Sequence, residues 1–321
     1  MRKFVLIVAS LLLVVSCKEE ENVEAEIAEV TVDEVKIDRF DQKFFEGTPD
    51  DLPKLKAEYS YLFPPSDPDE VWVNKMKDTF HLRLYDEVQK LYANTTVLED
   101  EFEDLFKHMK YYYPNFRSPK VIALVSDDIE TKTLYTKDFL FIPFSLYLGG
   151  DNYLYKGMPQ YKVEQFDSSQ ILPDAVVSFS NNKIEPPRDR TLLELMVYFG
   201  KELYMKDILL PDTTDAVKMG YTPEDIAWAQ ANESEMWRYF IDKSLLYSTD
   251  PKLPSRFISP APFSKFYLEF DNESPGRLGS WLGWQIVRAY VENNKNVTLQ
   301  ELLAMDAKTI FENSKYKPKK E

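Results

Sequence analysis

The chain has 321 residues, 44% of them hydrophobic, and carries 54 acidic against 39 basic side chains, which gives a net charge of −15. A protein with this negative charge is repelled by nucleic acid and by anionic lipid headgroups. We therefore exclude nucleic acid as a partner and expect proteins or neutral ligands. The apolar content can form a sizeable core, and a single cysteine permits no internal disulfide.

The first residues have the pattern of a secretory signal. Arg2 and Lys3 precede the apolar run 4–15, which is shorter than the roughly 20 residues that a membrane span needs. Ser16 and then Cys17, the only cysteine of the chain, follow this run. A lipoprotein signal requires a cysteine at this place, because its sulfur receives the lipid before cleavage. We therefore predict a lipoprotein signal peptide over residues 1–16 and lipid attachment at Cys17, which anchors the protein in a membrane.

Residues 17–36 are rich in glutamate and predict a lipidated acidic tether. The stretch 18–21 (KEEE) is either a plain spacer or a sorting signal, since it resembles the export tags of surface lipoproteins in Bacteroidota. Lysine in place of aspartate behind the cysteine also resembles outer-membrane sorting. We expect a lipid-anchored protein of the cell envelope, with the outer membrane favoured over the inner membrane facing the periplasm.

The rest of the chain predicts one globular domain, residues 37–314, that is mainly α with a small β-sheet (α+β). Apolar residues at helical spacing predict helices over 50–59, 70–91, 98–109, 192–206, 223–245, 278–293, 298–303 and 307–313. Short apolar runs predict buried strands at 120–125 and 139–142. Residues 152–190 predict a long ordered loop with one or two helical turns, and 315–321 a frayed basic tail.

Few residues suit catalysis. The only histidines, His81 and His108, are far apart in sequence, so neither forms the His-Glu-x-x-His pair of a zinc site. The chain has no Gly-x-Ser-x-Gly elbow and no phosphate-binding Gly-x-x-x-x-Gly-Lys loop. A serine triad would have to recruit one of the two histidines, and a carboxylate pair of the glycosidase type stays open. We predict no catalytic residue, no metal ligand and no cofactor.

Five stretches in the second half carry a resemblance to a known family. They are 199–204 (FGKELY), 218–221 (KMGY), 228–233 (WAQANE), 256–263 (RFISPAPF) and 273–287 (ESPGRLGSWLGWQIV). In this order they resemble the gliding-motility lipoprotein GldB family of Bacteroidota, and the likeness extends from the signal to the 315–318 tail.

That family is similar in turn to predicted zinc peptidases, whose active-site helix carries His-Glu-x-x-His. The corresponding helix here would be 192–206, which contains no histidine. The resemblance therefore implies a degenerate zincin-like metallopeptidase scaffold without zinc chemistry. Glu194, Glu202, Glu233 and Arg277 are candidates for a vestigial pocket, with Arg277 either pairing with Glu202 or Glu233 or lying at the surface.

Two functions follow from these observations. The first is a non-catalytic envelope lipoprotein required for gliding motility, which contacts other envelope proteins of the gliding and secretion machinery. The second is a cryptic hydrolase or ligand-binding lipoprotein with a carboxylate-based, metal-free site. Convergence of the four candidate residues in one pocket would favour the second function, and their separation would favour the first.

The helix 278–293 is predicted to be a buried structural element. Gly279 and Gly283 lie four residues apart, so we expect them to face one side and to let another helix approach closely. Trp281 and Trp284 are expected in the core, although aromatic residues at this spacing could also line a groove.

Overall fold

The computed structural model describes residues 23–269 and 271–319; the predicted signal peptide and Cys17 lie outside them. Residues 23–28 are helical (α1). Ile27 and Val35 are buried, and Val35 belongs to the main apolar cluster of the first half. The tether predicted for 17–36 is therefore not a free tether at these two positions, because their side chains join the folded body.

The first half of the described chain combines helices with one small sheet. Its further helices are α2 (Phe40–Phe45), α3 (Leu52–Glu58), α4 (Asp69–Lys77), α5 (Thr79–Leu91), α6 (Thr96–Tyr112), α7 (Gln160–Val163) and α8 (Ile171–Ser180). Its strands are β1 (Ile37–Asp38), β2 (Lys120–Leu124), β3 (Leu134–Tyr135) and β4 (Phe139–Pro143). The strand order is β1-β2-β4-β3, with parallel pairs except for the antiparallel pair of β3 and β4.

The sheet is buried on both faces. Val121 and Ala123 of β2 point into the main cluster of the first half, while Ile122 between them packs with the phenylalanines of α2 and the leucines of α3. This alternation follows from the two-residue period of a strand. The predicted strands and the α+β class are confirmed.

The second half is helical. Its helices are α9 (Leu192–Leu209), α10 (Asp215–Met219), α11 (Pro223–Ala231), α12 (Glu233–Asp242), α13 (Leu253–Phe257), α14 (Leu278–Asn293), α15 (Leu299–Ala304) and α16 (Ala307–Ser314). Thr191 caps α9 through its side chain, and Thr222 forms a capping box with Asp225 ahead of α11. Within the described ranges, no helix has the length and apolar character that crossing a bilayer requires.

Helices α9 and α14 touch backbone to backbone at glycine. A Cβ atom on Gly283 would lie 1.8 Å from the carbonyl oxygen of Met196, and one on Gly200 would lie 2.4 Å from the carbonyl of Gly283. The expected close approach of a helix is therefore confirmed for Gly283. At Gly279 the close neighbour is Phe257 at the end of α13, so the expectation that both glycines face the same helix is wrong. Because α14 touches a different element at each glycine, it is enclosed by neighbours.

Trp281 and Trp284 are both buried, which confirms their core assignment. The indole Nε1 of Trp284 donates to Asp207 Oδ2 at 2.8 Å. Arg288 stacks over the Trp284 ring at 3.7 Å and binds both Asp207 and Asp215 through paired hydrogen bonds. The buried Lys218 completes the group with an ion pair to Asp207 at 3.2 Å. Asp207 thus neutralises two cations that α14 and α10 bring into the interior.

Two long predicted helices are each interrupted. The predicted helix 70–91 is α4 followed by α5, since the carboxylate of Asp78 accepts from the backbone N–H groups of Phe80 and His81 and so starts a new helix. The predicted helix 223–245 is α11 followed by α12, with Asn232 between them. Helical periodicity continued across both breaks and concealed them.

Two other expectations are corrected. The predicted loop 152–190 contains α8, a full helix that is buried on nearly all sides and therefore has no amphipathic stripe to reveal it. The tail is not frayed at Tyr316, whose ring lies 5.0 Å from that of Trp237.

Candidate functional site

Three of the five stretches that carry the family resemblance meet at one pocket. Its volume is about 250 Å³. The walls come from α7 and the turn after it, the loop between α10 and α11, and the segments that precede α14. The lining residues are Gln160, Tyr161, Glu164, Gln165, Gly220, Tyr221, Thr222, Asp225, Pro260, Ala261, Pro262, Pro275, Gly276 and Arg277. The stretches 218–221, 256–263 and 273–287, distant in sequence, thus build a single polar concavity.

Arg277 is the one candidate residue that lines this pocket. It precedes α14 with φ of 59°, a left-handed conformation that is costly for a side chain other than glycine. Its guanidinium donates to the carbonyl oxygen of Met219 and lies 5.7 Å from the centre of the Tyr221 ring. Neither expected ion pair forms, because the guanidinium is directed to a backbone carbonyl rather than to Glu202 or Glu233.

Glu202 lies on α9, within electrostatic range of Arg277 but without an ion-pair contact to it. Burial raises the pKa of its carboxyl, against the opposing effect of Lys206 and Arg277. Burial also lowers the pKa of Lys206 to about 8, partly offset by Glu202. The ammonium of Lys206 donates to the carbonyl oxygen of Lys218 at 2.7 Å. Glu202 and Lys206 therefore influence each other's pKa near the pocket.

Glu194 belongs to a different place, near the N-terminal end of α9. It accepts from the backbone N–H of Arg188 at 3.4 Å and lies in a narrow cleft with Lys201. The ammonium of Lys201 donates to the carbonyl oxygens of Leu303 and Met305, and burial lowers its pKa to about 8. These bonds satisfy the C-terminal end of α15, which indicates a structural role for this cleft.

Glu233 is in a third environment. It is buried at the start of α12, where its carboxylate accepts a 2.6 Å hydrogen bond from the hydroxyl of Tyr316. Burial and this bond to Glu233 raise the pKa of Tyr316 well above its usual range. Glu233 thus fastens the C-terminal tail. The four candidate residues occupy three separate surroundings, and only Glu202 and Arg277 are neighbours.

Both histidines lie on helices of the first half. His81, at the start of α5, contacts the Asp78 carboxylate at 2.8 Å, and His108 on α6 contacts the carbonyl oxygen of Asp104 at 3.0 Å. Over residues 23–269 and 271–319, no group of three or more histidine, cysteine or acidic side chains is arranged to hold a metal ion.

Sequence reasoning missed the polar residues that surround Arg277 and Glu202. Asp174 of α8 pairs with Lys132 at 3.1 Å and accepts from the Tyr147 hydroxyl at 3.0 Å. The amide oxygen of Gln165 accepts from the same lysine at 3.2 Å. These residues come from distant segments, so no local signal marks them. Lys206 could have been found, since it follows Glu202 by four positions on one helix face.

Comparison with known proteins places the chain in a family. The model of the family described as gliding motility protein GldB matches residues 20–318, which is nearly the whole chain. Searches of curated proteins and of solved structures gave no significant match. The pocket at Arg277 and the helix pair α9–α14 lie wholly within the matched range. The chain therefore belongs to the gliding motility protein GldB family.

Proposed function

We propose that this protein is a non-catalytic envelope lipoprotein required for gliding motility, which acts through contacts with proteins of the motility and linked secretion machinery. Its family indicates a role in gliding motility and a lipid-anchored place in the cell envelope. The observation that supports a non-catalytic role is the separation of Glu194, Glu202 and Glu233. General acid–base catalysis needs groups within hydrogen-bond reach of one reacting centre, which these three carboxylates do not share.

The scaffold belongs to the same proposal. We take α9 as the counterpart of the active-site helix in the zinc peptidases and α14 as the helix that packs on it. The direct contact of these two helices at Gly200 and Gly283 supports this assignment. In this chain, α9 carries Glu194 and Glu202 but no histidine.

A second function keeps one specific observation in its favour. The raised pKa of Glu202, beside Arg277 and Lys206, suits a proton donor in a metal-free hydrolase. The two functions differ in whether gliding requires carboxylates that can gain and lose a proton.

We expect a Glu194→Gln/Glu202→Gln/Glu233→Gln chain to restore gliding to a deletion strain as well as the wild-type gene does. Glutamine keeps the shape and hydrogen-bonding capacity of each side chain but cannot transfer a proton. Colony spreading and single-cell gliding are measured at matched protein levels. If gliding is lost although the triple variant accumulates and melts normally, a carboxylate-based activity is required and the non-catalytic proposal fails.

The anchor is a further part of the proposal. We expect Cys17→Ala to leave an uncleaved precursor without bound fatty acid, since the thiol is the lipid acceptor and two or three acyl chains suffice for firm anchoring. Incorporation of labelled palmitate measures this, and Cys17→Ser is a matched control that also lacks the thiol. Palmitate in either variant would contradict lipid attachment at Cys17. Outer-membrane sorting is tested on the wild-type chain by membrane fractionation.

A further inference from the structure

The pocket at Arg277, defined by the lining residues given above, is built on a firm frame. A Cβ atom on Gly276 would lie 2.2 Å from the carbonyl oxygen of Ala261, so the two segments that form one wall touch through their backbones. Ser264 ties them further, because its N–H donates to the carbonyl of Pro275 and its hydroxyl accepts from the N–H of Leu278. Prolines at 260, 262 and 275 restrict these segments further. The concavity is therefore preformed.

Arg277 presents an uncommitted guanidinium edge to this pocket. Arg39 and Arg288, which are also partly buried, each bind a carboxylate through two nitrogens. Arg277 donates instead to the Met219 carbonyl, a neutral partner, and no carboxylate in the described part of the chain is hydrogen-bonded to it. A guanidinium fork that is held in place but lacks an anion matches a carboxylate ligand in geometry and charge.

Arg277 is the one cation among the residues that line the pocket, and Glu164 and Asp225 are its two carboxylates. The Asp225 carboxylate already accepts from the backbone N–H of Thr222. Nearby, Asp174 is engaged by Lys132 and by the Tyr147 hydroxyl. Arg277 is therefore the lining group that attracts an anion.

Polar groups converge on one point above Gly220. A Cβ atom placed there would lie 3.4 Å from Arg277 Nη2, 3.4 Å from Gln170 Oε1 and 3.5 Å from Gln165 Cδ. Gly220 has φ of 66° and no side chain, so these three groups approach its backbone closely. Because the Gln165 oxygen accepts from Lys132, its amide nitrogen remains a donor for the same ligand.

The rim indicates what carries the anion. Glu164 and Asp225 add acceptors to the lining, which suit the backbone N–H groups of a peptide, and Tyr161, Tyr221 and the prolines add apolar surface. We propose that this pocket binds a carboxylate on a short peptide segment of a partner protein, with Arg277 as the anion anchor and Gln165 as a second donor. The carboxylate is that of the partner's C-terminus or of an aspartate or glutamate side chain. This inference rests on the proposed function, because it assigns the partner contact to a site.

The test uses the full-length lipidated chain in detergent micelles and three fluorescein-labelled peptide pools with randomised neutral residues. One pool has a free C-terminus, the second has an amidated C-terminus, and the third is amidated but contains one glutamate. Fluorescence anisotropy measures binding. We expect the free-acid or the glutamate pool to bind about tenfold more tightly than the amidated neutral pool, and the preferred pool identifies the source of the carboxylate. Equal binding of all three pools, or no binding, would overturn the proposal.

Two variants locate the site. Arg277→Gln removes the anchor, and Gln165→Glu places a carboxylate where the ligand's would lie, so both should lose the tenfold preference. Gln165→Glu adds an anion beside Lys132 and should melt no lower than wild type, which keeps the test valid if Arg277→Gln misfolds. Arg83→Gln, at an exposed arginine of α5, is the matched control and should keep the preference. Retention of the preference in a folded Gln165→Glu chain would overturn the assignment to this pocket.

Gliding separates this inference from the function on which it rests. If the Gln165→Glu strain stops gliding while the triple glutamine strain glides, both proposals are supported. Normal gliding of a Gln165→Glu strain whose protein has lost the peptide preference would overturn this pocket as the partner contact and leave the proposed function intact. Loss of gliding in the triple glutamine strain alone would overturn the non-catalytic role and leave the peptide site standing.

Discussion

A Gly283→Ala variant is expected to lose about 3 kcal/mol or more of folding free energy, the upper part of the range for overpacked sites. The new methyl group would lie 1.8 Å from the Met196 carbonyl oxygen, and backbone cannot move aside as a flexible side chain does. Alanine favours a helix over glycine by up to about 1 kcal/mol, which offsets only part of this cost. Helices α9 and α14 must separate, so gliding should fail through instability. Denaturant unfolding of the purified chain measures the effect.

The three helical contact glycines form a graded series. The predicted order of destabilisation is Gly283→Ala, then Gly200→Ala, then Gly279→Ala, because the nearest backbone oxygen or carbon moves from 1.8 to 2.4 to 2.9 Å. Glu292→Ala, exposed near the end of α14, is the control and should stay within about 0.5 kcal/mol of wild type. If Gly283→Ala unfolds like wild type and still abolishes gliding, α14 is a contact surface and its structural assignment is wrong.

The second large effect is expected at Asp207. Asp207→Asn keeps the shape of the side chain and an oxygen for the Trp284 indole, but removes the charge that faces Lys218 and Arg288. Arg288 retains Asp215, whereas the buried Lys218 loses its carboxylate partner. Leaving one member of a buried ion pair uncompensated typically costs about 3–5 kcal/mol. We expect a loss near the lower end of that range, measured by the same unfolding experiment.

An exposed pair supplies the comparison. Glu235 and Arg238 on α12 lie 2.8 Å apart with both side chains largely in solvent. Glu235→Gln should therefore cost no more than about 1 kcal/mol. Similar losses in Asp207→Asn and Glu235→Gln would show that burial of the Asp207 group contributes little, contrary to our interpretation.

Local patterns were sufficient to predict α9, α14, α15 and α16, but not the short helices α10 and α13. Thr191 and Thr222 are helix caps that can be recognised from the sequence, and the predicted bounds 278–293 match those of α14. Periodicity failed where a helix has no polar face, as in α8, or where a stripe continues across a break, as at Asp78. In the latter case the signal was present, since aspartate is a favoured N-cap residue.

The candidate site was predictable only in part, for a physical reason. Arg277 stood out because it follows Pro275-Gly276 at a helix start, and it does line the pocket. Glu194 and Glu233 were grouped with it on family resemblance, yet each is held elsewhere, Glu194 by the nearby Arg188 backbone and Glu233 by the distant Tyr316. Which buried charges meet depends on tertiary contacts that spacing does not encode.

The bond from Lys201 to the end of α15 has a consequence for how the chain matures. It joins residues 102 positions apart, and the partners of α9 in its own core, α14 and α16, also come last from the chain. A polypeptide emerges N-terminus first, whether from a ribosome or through a membrane. Part of the apolar surface of α9 and the Lys201 ammonium therefore lack their native partners until the final helices are available. Contacts of such separation form slowly. The second half should therefore fold in a single late step. A chain whose synthesis or export stops before α16 should be a substrate for chaperones and proteases.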